Sequence, residues 1–202
     1  MKNRVVIVDD EPIFRMDIAE LLQQAGYDVV GEAADGFDAI ELCRKYKPDL
    51  VLMDIKMPLF DGIKAVKTIY KEGLSGSVVI ITAYNDKEYI DMAKEAGAMG
   101  YLVKPINEKI LIPTIEMAIA KGKEIQTFKE DLRNMQIKYE ERKVIERAKG
   151  IWMTEYHISE EEAYRRMQCT SMSKRCSMAE IAKYVISNYA DRVNKNARSG
   201  CR

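Results

Sequence analysis

Short apolar runs recur along the first half of the chain, at residues 4–8, 50–53 and 78–81, and a polar residue closes each one. Runs without alternation are what strands buried on both faces require. Between them, apolar residues return at helical spacing, first Ile13, Ile18, Leu21 and Leu22, then Ala39, Ile40, Leu42 and Cys43. Strands alternating with helices predict a parallel sheet. Two weaker strands, 28–32 and 100–103, complete five strand and helix pairs in about 120 residues, the size of one doubly wound α/β domain.

The second half carries only helical period. After Pro113 it runs to about Tyr156, with Gly122 as its one breaker. With Ile125 at heptad position a, Leu132 and Tyr139 follow at a, Phe128 and Met135 fall at d, and Glu124 at g faces Lys129 at e. That stripe fits dimerisation through a parallel coiled coil. A lone amphipathic helix folding back on the front domain fits it too. Further on, Val144, Ile145, Ala148, Ile151 and Trp152 share one side. Capping boxes at Ser159/Glu162 and Ser177/Glu180 then predict two more helices, the last with Met178, Ile181, Ala182, Val185, Ile186 and Tyr189 on a buried face. The result is a small all-α three-helix bundle whose core is too slight to stand without the preceding helix or a second chain. The boundaries expected are 1–120, a coiled-coil linker helix over 121–138, the bundle over 139–192 and a disordered tail over 193–202, in which Cys201 has no structural role.

Charge divides the same way. The chain's 32 basic and 32 acidic residues cancel, yet residues 139–202 carry thirteen Lys/Arg against nine Asp/Glu, leaving the front net acidic and the back net basic. No apolar run nears the roughly 18 residues of a membrane span, so a cytoplasmic protein without a membrane partner is expected. Cys43, Cys169, Cys176 and Cys201 lack metal-site spacing, and His157 is the single histidine. Zinc sites and histidine-assisted nucleophiles are poorly supported, so a hydrolase is not expected.

Ligands of open α/β sheets bind beyond the carboxyl ends of the strands. The first predicted strand is followed by Asp9 and Asp10, the third by Asp54, the fourth by Thr82 and the fifth by Lys104 and Pro105. Three gathered carboxylates raise one another's pKa unless a cation sits among them, and Mg²⁺ suits such a hard donor set. A carboxylate there can also attack a phosphoryl group to give an acyl phosphate, with Lys104 and Thr82 supplying charge and a donor to the phosphoryl oxygens. Asp54, after the central strand and before the turn over 55–62, is the nucleophile candidate. Each residue alone is ordinary; their joint placement carries the inference.

The segments VVIVDDEP, DLVLMDIKMPLFDG, VVIITAY and GYLVKPI resemble the receiver domain of bacterial response regulators over residues 3–120. The resemblance implies that Asp54 is phosphorylated by a histidine kinase, that Asp10 and Asp54 ligate Mg²⁺ with Asp9 acting through water, and that the Lys56 backbone carbonyl is a further ligand. It also implies that Thr82 and Lys104 bind the phosphoryl oxygens, that Thr82 and Tyr101 form a switch pair, and that the Lys104-Pro105 peptide is cis. Lys56 stands at a position that tunes phosphoryl lifetime in the family.

The segment from Val144 to Ile186 resembles the ANTAR domain, an RNA-binding antiterminator module, with the likeness covering about residues 138–192 and clearest at Ala148, Lys149, Gly150, Ala163, Ser171 and Ala182. That implies a dimer binding paired RNA hairpins in a transcript. Ala148, Gly150, Ala163 and Ala182 read as close-packing residues, whereas Arg147, Lys149, Arg165, Arg166, Lys174 and Arg175 are the candidate RNA contacts. Trp152 and Tyr164 are aromatic candidates for stacking on bases. The rival reading is a helical output domain that binds DNA or a protein.

Overall fold

The computed structural model describes residues 2–199, with side chains through residue 191. The elements run β1 (Arg4–Val8), α1 (Pro12–Gln24), β2 (Asp28–Ala33), α2 (Gly36–Tyr46), β3 (Leu50–Met53), α3 (Gly62–Glu72), β4 (Ser77–Thr82), α4 (Lys87–Ala96), β5 (Gly100–Val103), α5 (Glu108–Tyr156), α6 (Glu160–Lys174) and α7 (Met178–Ser199). They form two compact units, Met1–Phe128 and Lys129–Arg202.

In the first unit the strands are all parallel, in the order β2-β1-β3-β4-β5. Side chains alternate between two cores. Val6, Val8, Val51, Met53, Val78 and Ile80 pack with α2, α3 and α4, while Val5, Ile7, Leu50, Leu52, Val79 and Ile81 pack with α1 and the start of α5. Burying each such side chain contributes roughly 1.5–3 kcal/mol, so the central strands have no room for polar residues along their length. Cys43 belongs to the first of these cores and is fully buried, and burial pushes its thiol up to about 12.

Asp35 caps α2 by accepting from the backbone N–H groups of Phe37 and Asp38, and Asp61 caps α3 by accepting from that of Ile63. Gly62 then lies so close to the end of β3 that a Cβ there would stand 1.8 Å from the Asp54 carbonyl oxygen. Its N–H donates to the Ile55 carbonyl at 2.9 Å, closing the loop after β3. Gly122 is no breaker. It is buried inside α5, where a Cβ would meet the Gly76 carbonyl oxygen at 2.5 Å, so its bareness lets the helix seat. Pro113 also lies inside α5; it is exposed, and water can satisfy the carbonyl its missing N–H leaves free.

The second unit packs Ala148, Met167, Ile181, Ala182 and Val185 into one core, against which Trp152 and Ile186 are partly buried. The Ser177/Glu180 box closes in both directions, with Glu180 N–H donating to Ser177 Oγ at 3.2 Å and Ser177 N–H donating to Glu180 Oε2 at 2.8 Å. The Ser159/Glu162 box closes in one direction only, because the Glu162 carboxylate accepts from Arg166 at 2.9 Å instead. Ala148, Ala163 and Ala182 are buried as close-packing residues, but Gly150 is exposed and a Cβ there would meet nothing. Nothing in the structure explains that glycine. The tail expected to be disordered over 193–202 is helical as far as Ser199, since α7 meets no Gly or Pro before Gly200. Cys201 lies outside the described residues.

Gly62→Ala is expected to cost about 3 kcal/mol by overpacking against backbone and to lower the melting midpoint of the first unit by roughly 10 °C. An unchanged melt would mean that the loop after β3 yields freely. Gly150→Ala is expected to stabilise the second unit by up to about 1 kcal/mol through helix propensity, read as a rise in its denaturant midpoint.

Candidate functional site

The ladder of the sheet continues one residue past several strand ends and so aims their side chains. Asp54 N–H donates to the Val8 carbonyl at 2.9 Å, Asp9 N–H to that of Ala33 at 3.1 Å, and Lys104 N–H to that of Thr82 at 2.8 Å. These bonds gather Asp9, Asp54, Thr82 and Lys104 at one edge of the sheet. Lys104 Nζ donates to Asp9 Oδ2 at 2.7 Å and to Asp54 Oδ2 at 3.3 Å. The Lys104-Pro105 peptide is cis.

One oxygen from each of Asp9, Asp10 and Asp54 lies within 4.8 Å of the others. Asp9 is 1% exposed and Asp54 7%, whereas Asp10 is open to solvent. Burial pushes the Asp9 carboxyl above its ordinary 3.8, and its hydrogen bond to Lys104 offsets only part of that. Burial pulls Lys104 down, but the Asp9 hydrogen bond and the Asp54 charge outweigh it and hold the ammonium above its ordinary 10.5. Three hard oxygen donors, two of them buried, with one ammonium beside them are short of positive charge, and the open side at Asp10 suits a divalent cation that keeps some waters. The residues therefore fit Mg²⁺.

Three neighbours of this cluster were not singled out by sequence. Glu11 Oε1 accepts from Lys104 at 3.3 Å, the Lys104 ammonium stands 4.1 Å from the Phe14 ring centroid, and an Arg15 N–H donates to the Asp9 carbonyl at 2.6 Å. Their signal was proximity in the first turn of α1, directly after Asp9 and Asp10.

Thr82 is wholly buried, and its Oγ1 accepts from the Tyr84 N–H at 3.4 Å. Tyr101 is half-buried and donates its hydroxyl to the Tyr84 carbonyl at 2.8 Å, so both members of the expected switch pair meet the same residue. Burial, then the Asp86 charge, raises the Tyr101 phenol above its ordinary 10.0. Lys56 is exposed, with its ammonium 5.2 Å from the Tyr89 ring centroid; its hydrogen bond to Tyr89 raises its pKa.

The heptad stripe of α5 is uncovered in the single chain. Phe128, Leu132, Met135 and Tyr139 are each more than half exposed, and Ile125 is half-buried. The cations assigned to RNA do not form one class. Arg147 and Arg175 are exposed with no ion pair among the described residues, and Lys174 reaches over the Tyr184 ring at 5.3 Å. Arg165 and Arg166 both pair with Glu162, at 3.4 and 2.9 Å, on an open helix face. Lys149 departs from the expectation. Its side chain is 8% exposed and its ammonium is clamped by Glu146 at 2.8 Å and Glu160 at 2.7 Å, which makes it a strut between α5 and α6. The start of α7 offers little to a DNA groove, since Ala179 is buried and Glu180 is engaged in its cap. No helix among the described residues is long and apolar enough to cross a membrane.

Comparison with known proteins bears on both units. Residues 5–116 match the family described as response regulator receiver domain, and residues 133–186 match the ANTAR domain. The transcriptional regulatory protein PdtaR of Mycobacterium tuberculosis is 41% identical over 184 residues, covering 91% of this chain and 89% of that protein. The chemotaxis protein CheY of Thermotoga maritima is 36% identical over 115 residues, 57% of this chain and 96% of that one. Among solved structures, a LuxR-family two-component response regulator from Aurantimonas sp. is 35% identical with a TM-score of 0.56, covering 60% of this chain and 87% of that chain.

Lys149→Gln tests the strut. The hydrogen bond and charge of Lys149 hold Glu160 below its ordinary 4.5, so the pair stabilises the fold above that pH and its contribution is lost as pH falls through the lowered value. The variant is expected to melt several degrees below the wild type at neutral pH, with the gap closing on acidification below about pH 4. Equal melts at neutral pH would return Lys149 to the pool of available cations.

Proposed function

Since the chain belongs to the response regulators, as a receiver domain followed by an ANTAR domain with an RNA-binding antitermination output, we propose that phosphorylation of Asp54 by a histidine kinase drives dimerisation and the binding of paired RNA hairpins. The working division is a receiver over 1–120, a linker helix over 121–138 and the ANTAR domain over 139–192. A nascent transcript as target puts this work in the cytoplasm.

The observation that carries the reading is the Lys104 ammonium bonded to both Asp9 and Asp54 where the strands end. In the proposed step an Asp54 carboxylate oxygen attacks phosphorus, the bond from phosphorus to the donor nitrogen breaks, and an acyl phosphate forms. Asp10, Asp54 and the Lys56 carbonyl, with Asp9 acting through water, would hold a Mg²⁺ ion, which would supply positive charge to the phosphoryl oxygens. Lys104 stays close enough to follow the charge from carboxylate to phosphoryl group, and the Thr82 hydroxyl, held only by a long bond, is free to turn toward it. Tyr101, tied to the Tyr84 carbonyl beside Thr82, then reports that turn outward.

Dimerisation supplies the output. Covering Ile125, Phe128, Leu132, Met135 and Tyr139 against a second copy removes apolar surface that the single chain leaves in water. It also presents two ANTAR domains to two hairpins, so the second contact forms at high effective concentration. Arg147, Arg165, Arg166, Lys174 and Arg175 are the contacts proposed for phosphates and loop bases.

The test compares wild type with Asp54→Ala, with and without Mg²⁺ and a small phosphodonor, for oligomeric state and hairpin-RNA affinity. Wild type alone is expected to become dimeric, with RNA affinity rising tenfold or more through avidity, and to do so only with Mg²⁺. Binding should weaken with salt and spare duplex DNA. A phosphorylated wild type that stays monomeric and ignores RNA would sink the proposal.

A further inference from the structure

A cavity of about 340 Å³ opens in the second unit, beside its small core. Its wall includes Trp152, Tyr156, Lys174, Glu180, Tyr184 and Asn188. That volume lies at the lower end of the range typical of small-ligand sites, about 300–1,000 Å³.

Its chemistry is uneven in a way that selects an occupant. Trp152 is half-buried and meets Tyr156 edge to face, ring centroids 6.4 Å apart, while Tyr184 is 62% exposed with the Lys174 ammonium 5.3 Å from its centroid. Three aromatic side chains thus line one small opening without filling it. The adjoining residue, Arg175, sits in the left-handed region with φ 52° and is exposed, so two cations stand together at the turn between α6 and α7. The one carboxylate in the wall, Glu180, uses Oε2 on the N–H and hydroxyl of Ser177, which leaves Oε1 as an acceptor. Asn188 adds an amide that can donate and accept.

We propose that this cavity holds a single unstacked nucleobase of the RNA, one bearing an exocyclic amine. The inference rests on the RNA-binding reading above and deepens it by naming where a loop base goes. The base stacks against the aromatic side chains, its amine donates to Glu180 Oε1, Asn188 meets its polar edge, and the attached phosphate meets Lys174 and Arg175. Flat π-faces, an acceptor within and cations at the rim match a nucleotide and match an apolar peptide poorly, since a peptide has no use for the rim charge. Trp152 is thereby a contact for RNA as well as part of the packing, and Tyr184 joins it although no residue pattern in the chain had set it apart.

Trp152 is the only tryptophan in the chain, so its emission reports on this cavity directly. The experiment uses the full chain, treated with Mg²⁺ and phosphodonor before RNA is added. A labelled pool of hairpins with randomised loops is then titrated while anisotropy follows binding and tryptophan emission follows the cavity. Binding is expected to quench Trp152, and Tyr184→Ala and Lys174→Ala, both at exposed positions, should keep the wild-type melt. Tyr184→Ala should weaken binding about tenfold.

Anisotropy that reports binding while Trp152 emission and the affinity of Tyr184→Ala stay unchanged would overturn the cavity assignment and leave RNA binding standing. No binding of any hairpin would remove both. Quenching by free adenosine or guanosine monophosphate, without quenching by hairpins that bind, would make the occupant a free nucleotide and overturn the RNA base.

Discussion

Strands that are buried on both faces can carry polar side chains only where they end. That constraint organises the first unit. β1, β3 and β4 feed alternate residues into two separate cores, so the backbone is pinned from above and below, and whatever follows each strand is delivered to one edge. What arrives there is mutually repulsive. Asp9 is held above its ordinary pKa, and a single ammonium stands among the carboxylates. Folding, not affinity among these groups, brings them together, which is why the cluster is poised to take up further positive charge.

Much of this was legible in the sequence because the signals are local. An apolar run with a polar end marks both the strand and its chemical tip, and Ser177/Glu180 marks a helix start by direct bonding. Less legible was anything that depends on which residues meet across the fold. Gly122 reads as a breaker in the one-dimensional pattern, yet its bareness is the shape that the Gly76 carbonyl requires. Lys149 reads as one cation among several along a basic stretch, and only the approach of α6 turns it into a clamped strut. Gly150, its neighbour, reads as packing, yet it is exposed and a Cβ there would meet nothing. Helical period specifies a face but not the partner of that face.

The linking stretch of α5 shows what such a face costs when nothing covers it. Isolated helices gain little from propensity alone, and most helical stability in proteins comes from burying one side. Residues 126–143 are exposed all round, Phe128, Leu132 and Tyr139 included. In the proposed dimer a second copy would supply the missing burial, so helix order and dimer formation would share one free energy.

Cys43 has a separate consequence. Its thiol is fully enclosed and pushed to about 12, whereas Cys169 is exposed and Cys176 half-buried. A maleimide or disulfide reagent therefore reaches exposed Cys169 before the enclosed, pKa-raised Cys43. Modification of Cys169 reads the intact surface of the second unit, while modification of Cys43 waits for the receiver to open. The chain contains its own chemical clock for the breathing of its first core.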